Sequence, residues 1–123
     1  MKRLFAVLLV TIMISASMFA VKIGFIATNF SSESQARVLN EFAKICSEKG
    51  WDLVQLNSMG SDETQSTQIE NLVQMKVDAI VLAMGHPNVV IDALQKAFDA
   101  GIPVITIDSG YVDGVVADIT SDN

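Results

Sequence analysis

The 123-residue sequence contains one cysteine, one tryptophan, one tyrosine, one histidine and two prolines. A lone Cys46 excludes an internal disulfide framework and any cysteine-based zinc site. Basic residues are also scarce, 8 against 14 acidic ones for a net charge of −6, and they form no cluster. Nucleic acid is therefore not an expected partner, because neutralising phosphates requires grouped Lys and Arg. The glycine-rich phosphate signatures are missing as well. After the first apolar run the chain reads Ala27-Thr28-Asn29-Phe30-Ser31-Ser32 rather than G-x-G-x-x-G, and neither G-x-x-x-x-G-K nor G-x-S-x-G occurs. A response-regulator site would need an acidic pair after the first strand and a Lys after the last, and has neither. No cofactor and no metal is expected. What the chain has in quantity is apolar surface, 50% of its residues, which excludes disorder. Its length allows one domain, or a piece of one.

The first twenty residues read as an address rather than as fold. Met1-Lys2-Arg3 is a positive head, Leu4 to Ile14 an uncharged apolar run, and Ser15 to Ala20 a stretch rich in small residues. That is the layout of a secretory signal peptide, with cleavage expected near Ala20. An uncleaved membrane helix is the competing reading, weakened by Thr11, Ser15 and Ser17 in its second half. Residues 21–123 then form an acidic, soluble domain, periplasmic or otherwise exported, of 103 residues with 6 basic and 14 acidic side chains. An isolated buried thiol does no harm in such an oxidising compartment.

Beyond residue 20, strand and helix patterns alternate. Val21–Ala27 is almost continuously apolar, as expected of a parallel strand buried on both faces, and Trp51–Asn57, Asp78–Ala83 and Pro103–Asp108 also read as strands. Between them lie helical patterns. Ser32 and Gln35 have capping-box spacing, Ala36, Leu39, Phe42, Ala43 and Cys46 form one apolar stripe, and Gly50 ends the first helix. Glu63–Lys76 and Asn88–Ala100 give two more helices, with Pro87 as the first helical residue of the last. Val115–Thr120 alternates and reads as a fifth, less buried strand at an edge, because Ser109–Gly114 is too short for a helical crossover. The fold class is α/β, a doubly wound parallel sheet of βαβ repeats. The sequence stops after a strand at Ser121-Asp122-Asn123 with no helix to cover that flank, which reads as part of a larger protein, a truncated frame or a cut piece.

In such a sheet a ligand sits beyond the carboxyl ends of the strands. Thr28 to Ser32, Asn57, Ser58, Met84 to His86, Asp108, Ser109 and Ser121 to Asn123 occupy that rim. Hydroxyl, amide and carboxylate groups without Lys or Arg suit a small neutral polyhydroxylated ligand and disfavour phosphate. Asp108 stands out, since it ends a buried strand where a structural residue would be apolar, and its carboxylate can accept two hydroxyls. Its competing role is loop stabilisation. Phe30 either stacks on a sugar ring or plugs the crevice side of the core. His86 reads as a solvated loop residue rather than a ligand contact, and Cys46, Met75 and Met84 as packing. A Ser31, His86 and Asp108 set can be written down, but any domain of this size holds such a trio, so an enzyme is not expected.

The segments VKIGFIATNFSSESQ, EKGWDLVQLNS, Asp62 to Ile69, VDAIVLA, AGIPVITIDSG and the closing SDN together resemble the periplasmic sugar-binding receptors of the ribose-binding type, the solute receptors of ABC transporters. The resemblance covers residues 21–123. Lac-repressor-type regulators share the AGIPVITIDSG-like stretch but lack a signal peptide and begin with a DNA-binding helix-turn-helix. The resemblance implies the first, incomplete lobe of a two-lobe receptor that closes on a monosaccharide or polyol, with a missing second lobe and a membrane permease as partners. It assigns Asp108 to sugar hydroxyls, Ser32 to the polar position of the first loop and Ser121 to the closing motif near the hinge. Ser109 falls where ribose receptors have an Arg, and Ser34 and Gln35 fall where they have stacking aromatics. These departures argue against ribose itself: either Phe30 stacks from a shifted position, or the ligand is not a pyranose or furanose ring. The alternatives are a small exported interaction module that pairs through the fifth-strand flank, and a hydrolase using His86.

Overall fold

The computed structural model describes residues 19–121. The signal-peptide expectation, apart from Phe19 and Ala20, lies outside the described residues, as do Asp122 and Asn123. Five strands form one parallel sheet in the order β2-β1-β3-β4-β5: β1 (Lys22–Ala27), β2 (Asp52–Asn57), β3 (Ala79–Ala83), β4 (Val104–Ile107) and β5 (Ala117–Ile119). Three helices connect them: α1 (Glu33–Lys49), α2 (Asp62–Gln74) and α3 (Ile91–Asp99). The α/β doubly wound class holds.

Each element has a local cause. β1 is buried from Ile23 to Ala27, which is why its sequence shows no alternation. α1 ends where Gly50 takes φ 69° and donates its N–H to the carbonyls of Cys46 and Ser47. α2 starts at Ser61, whose hydroxyl accepts from the Thr64 N–H at 3.1 Å. α3 starts later than expected. Pro87 is not its first residue but a buried part of a turn in which the Val89 and Val90 N–H groups donate to the His86 carbonyl. Packing Pro87 into the core takes precedence over starting the helix there.

Two cores flank the sheet. α2 and α3 bury Ile69, Leu72, Leu94 and Ala97 against Ile26, Ile80, Leu82 and Val104. α1 alone covers the other face, packing Leu39, Cys46 and Phe42 on Ile23, Phe25 and Val81. The Phe25 and Phe42 rings lie 5.3 Å apart. Beyond α1, that face keeps an apolar hollow of about 340 Å³ lined by Ile105, Ile107 and Ile119 among others. The β4–β5 connection has no helix. It crosses on the α3 side, where Val112 and Val115 join the core and Gly114 at φ 101° passes so close to Phe98 that a Cβ would meet the ring at 2.6 Å. As expected, β5 is an edge strand, and β2 forms the other edge.

Gly24 lets α2 approach β1, since a Cβ there would lie 2.3 Å from Leu72 Cδ1. Gly24→Ala should destabilise the chain by about 1–3 kcal/mol in urea unfolding, and adding Leu72→Val should recover part of the loss. Wild-type stability in the Gly24→Ala variant would refute that contact. Burial pushes the Cys46 thiol above its ordinary pKa. A thiol reagent at mildly alkaline pH should therefore label Cys46 only after unfolding.

Candidate functional site

The order β2-β1-β3-β4 means that the connection leaving β1 runs to β2 on one side and the connection leaving β3 runs to β4 on the other, so the two part above the β1–β3 junction. A cleft of about 590 Å³ opens there. Thr28, Asn29 and Ser31 line it from the β1 end, Asn57, Met59 and Gly60 from the β2 end, Asp62 from the start of α2, and Met84 and His86 from the β3 end.

The loops that carry these groups are held by their own side chains. Gln35 is only 8% exposed; its Nε2 donates to Thr28 Oγ1 at 2.8 Å and its Oε1 accepts the Asn29 N–H at 2.8 Å. The capping box expected of Ser32 and Gln35 is therefore not formed. Ser32 makes no cap hydrogen bond and its hydroxyl meets that of Ser34 at 3.0 Å. The Ser32 N–H is already paired with the Asn29 carbonyl at 3.3 Å, so the glutamine oxygen serves the Asn29 N–H instead. Asn29 Oδ1 in turn accepts the Ser31 N–H at 2.8 Å, and Asn57 Oδ1 accepts the Met59 N–H at 2.9 Å. Both are Asx turns, which fix the amide carbonyls toward the backbone.

A second cluster lies at the β4 and β5 ends. Asp108 Oδ1 accepts the Ser121 N–H at 2.6 Å and faces its hydroxyl at 3.1 Å, while the Asp108 N–H donates to the Ile119 carbonyl. Ser109 is a tie: its hydroxyl accepts the Gly85 N–H at 2.9 Å and donates toward the Ile107 and Leu82 carbonyls. Phe30 packs against the α1-side core. The structure thus joins Asp108 to Ser121 and Ser32 to Ser34, turns Gln35, Ser109 and Phe30 inward, and places none of these seven in the lining of the cleft.

His86 is no isolated loop residue. Its Nδ1 lies 3.1 Å from Asp62 Oδ1, and its side chain is 68% exposed. Asp108 is committed to Ser121, so the hypothetical Ser31, His86 and Asp108 triad is not assembled. Asp62, Met59 and Gly60 were not singled out in the sequence, where Ser58–Asp62 reads only as a polar connection. Met84, expected to pack, lines the cleft. Met59, Met84 and Asp108 have φ of 51°, 53° and 47°, and Lys76 is the other non-glycine residue with positive φ among the described residues. Left-handed backbone costs such residues roughly 1–2 kcal/mol and gathers at functional sites. Replacing Gln35 by Leu should strand the Asn29 N–H and cost about 1–3 kcal/mol in urea unfolding, with fast amide exchange confined to residues 28–35. Unchanged stability would remove Gln35 as the loop anchor.

A family model described as a periplasmic binding protein domain matches residues 23–123. The ribose import binding protein of Bacillus subtilis strain 168 is 27% identical over 81 residues, 65% of this chain and 27% of its own length. The HTH-type transcriptional repressor PurR of Klebsiella pneumoniae strain 342 is 26% identical over 82% of this chain and 29% of its own. Among solved structures, an ABC transporter solute-binding protein from Agrobacterium vitis with bound allitol superposes with a TM-score of 0.77 at 29% identity, covering 86% of this chain and 36% of that one. The chain thus spans between a quarter and two fifths of the length of these proteins. With the model matched from the first buried strand through the last, the chain belongs to the periplasmic binding protein domain family.

Proposed function

We propose that this chain is the ligand-facing front of an exported receptor that binds a monosaccharide or related polyol and delivers it to the permease of an ABC transporter. The observation that carries the reading is the strand-end rim. Hydroxyl, amide and carboxylate groups gather there from the ends of β1, β2, β4 and β5, and neither Lys nor Arg stands among the lining residues of the cleft or in the Asp108–Ser121 cluster. Such groups donate and accept at short range, as sugar hydroxyls require, and offer nothing to a phosphate. Asp108 contributes Oδ2, the carboxylate oxygen that Ser121 leaves free, and the hydroxyls of Ser32, Ser34 and Ser121 add further groups along the rim. A second lobe closes the crevice by hinge motion and supplies the remaining contacts. The family resemblance to sugar receptors, the allitol-bound neighbour and the expected signal peptide of residues 1–20 support the same reading. The family is one of solute binders rather than an enzyme class. The match to a repressor supports the shared lobe rather than DNA binding, since the expected net charge of residues 21–123 is strongly negative.

One observation favours a second reading. The apolar hollow over Ile105, Ile107 and Ile119 is a surface that an interaction module would pair through. Sedimentation over a wide concentration range separates the two, because a module that pairs through this face forms concentration-dependent dimers.

Titrating the chain with neutral monosaccharides and alditols while recording amide NMR spectra should give saturable, weak, millimolar shifts confined to residues 28–34, 57–62, 84–86 and 108–121. Asp108→Ala should weaken binding about tenfold, the worth of a hydrogen bond to a charged group. No rim shift with any neutral sugar or alditol would refute the proposal.

A further inference from the structure

Asp62 and His86 are the two titratable residues among those that line the cleft, and the structure pairs them. They come from different elements. Asp62 is the first residue of α2, and His86 stands in the turn between β3 and α3. Their contact, His86 Nδ1 to Asp62 Oδ1 at 3.1 Å, ties the start of α2 to that turn. With side chains 68% and 38% exposed, such a pair adds little to stability, because water screens it. Its consequence is orientation.

The His86 backbone is held as well. Its carbonyl accepts the Val89 and Val90 N–H groups, and the next residue, Pro87, is buried in the core. A ring held at its backbone and at Nδ1 loses little rotamer freedom when a ligand arrives. Hydrogen-bond chemistry then decides which ring nitrogen is available. An ionised carboxylate only accepts, so the hydrogen of the contact sits on Nδ1. In the neutral ring Nε2 is left with a lone pair and no hydrogen, and it has no partner among the described residues. Other side-chain acceptors of the cleft are already engaged. The Thr28 hydroxyl bonds Gln35, and the Asn29 and Asn57 carbonyls serve Asx turns. Besides the Ser31 hydroxyl, the oxygen and nitrogen acceptors without a protein partner are His86 Nε2 and Asp62 Oδ2.

We infer that His86 is a ligand-contact and specificity-determining residue of this cleft and that Asp62 is its positioning residue. A hydroxyl of the ligand donates to His86 Nε2, which Asp62 keeps free of hydrogen. An ether oxygen has no hydrogen to give, and a carboxylate or phosphate meets only a lone pair and a negative charge, so the pair selects for alcohols. The inference rests on the receptor reading above and deepens it. It reverses the expectation from the sequence, in which His86 is a solvated loop residue, and neither residue is a site position assigned by the resemblance.

His86 is the sole histidine of the sequence, so its ring gives one set of nitrogen signals. The test uses the chain with isotope-labelled histidine at mildly alkaline pH, where an ordinary imidazole is neutral. The probes are allitol, D-galactose, L-arabinose and the other neutral sugars of the titration above. In the free chain the ring should carry hydrogen on Nδ1 and none on Nε2. A sugar that shifts the rim amides should also shift the Nε2 signal while hydrogen stays on Nδ1. His86→Phe keeps a ring and removes the acceptor, and should weaken that sugar about three- to tenfold, the worth of one hydrogen bond. Asp62→Ala should let hydrogen move to Nε2 in part of the population and weaken the same sugar, whereas Asp62→Glu, which keeps a carboxylate, should lose less of both. Hydrogen on Nε2 in the free chain, a bound sugar that leaves the Nε2 signal unmoved, or wild-type affinity in the His86→Phe variant would each overturn the inference and leave the receptor reading standing. Silence of the whole rim with every sugar would overturn both.

Discussion

β1 is hydrogen-bonded on both edges, and the rest of the structure depends on that. Its ladder to β2 runs from Lys22↔Asp52 to Ala27↔Asn57, and its ladder to β3 from Ile23↔Ala79 to Ala27↔Ala83, both parallel. A strand so placed has no solvent face, so Phe25 and Ile26 are fully buried on opposite sides and each demands a covering layer. The layers are α1 on one side and α2 with α3 on the other. Parallel pairing also brings every strand's carboxyl end to one edge. The cleft is therefore a consequence of the strand order rather than of any single loop.

The parts of the fold readable in the sequence were those that local patterning dictates. The first strand was visible because VKIGFIA, buried from Ile23 to Ala27, is almost continuously apolar, and α1 because its stripe ends in a glycine able to take φ 69°. The start of α3 was not, because Pro87 serves a turn as well as a first helical residue, and only core packing decides between them. The site was less legible still. Strand ends identify the rim, but not which rim groups remain free. Gln35 and Ser109 carry the chemistry of ligand contacts yet spend it on Asn29, Thr28 and Gly85. Asp62 has an ordinary helix-start sequence and acquires interest only because His86, twenty-four residues on, lies within 3.1 Å of it. No spacing rule reports such a pairing.

The rim thus divides by hydrogen-bond accounting. Thr28, Gln35 and Ser109 are saturated internally and hold the loops at fixed distances. Asn29 and Asn57 are half saturated, with carbonyls bound and amino groups without a partner among the described residues. Asp108 is also half saturated. A donor fixed by a turn loses little rotamer freedom when a ligand arrives, which is why half-saturated groups make better ligand contacts than fully free ones. Exposed hydroxyls such as those of Ser32 and Ser34 would have to be ordered first.

Asp108 shows how far this accounting constrains residue choice. Its position needs left-handed backbone, which Asp tolerates better than most side chains because its short polar group bonds locally. It needs an acceptor for the Ser121 N–H, which fixes the chain as it leaves β5. Asn would satisfy both conditions, but the group left over would then be an amide donor. Gly would satisfy only the first. A carboxylate alone meets both and still leaves an acceptor oxygen, so the residue that anchors the outgoing chain keeps an oxygen for the proposed ligand. In a receptor that closes on its ligand, this arrangement would connect occupancy of the proposed crevice to the point where the chain departs from the lobe.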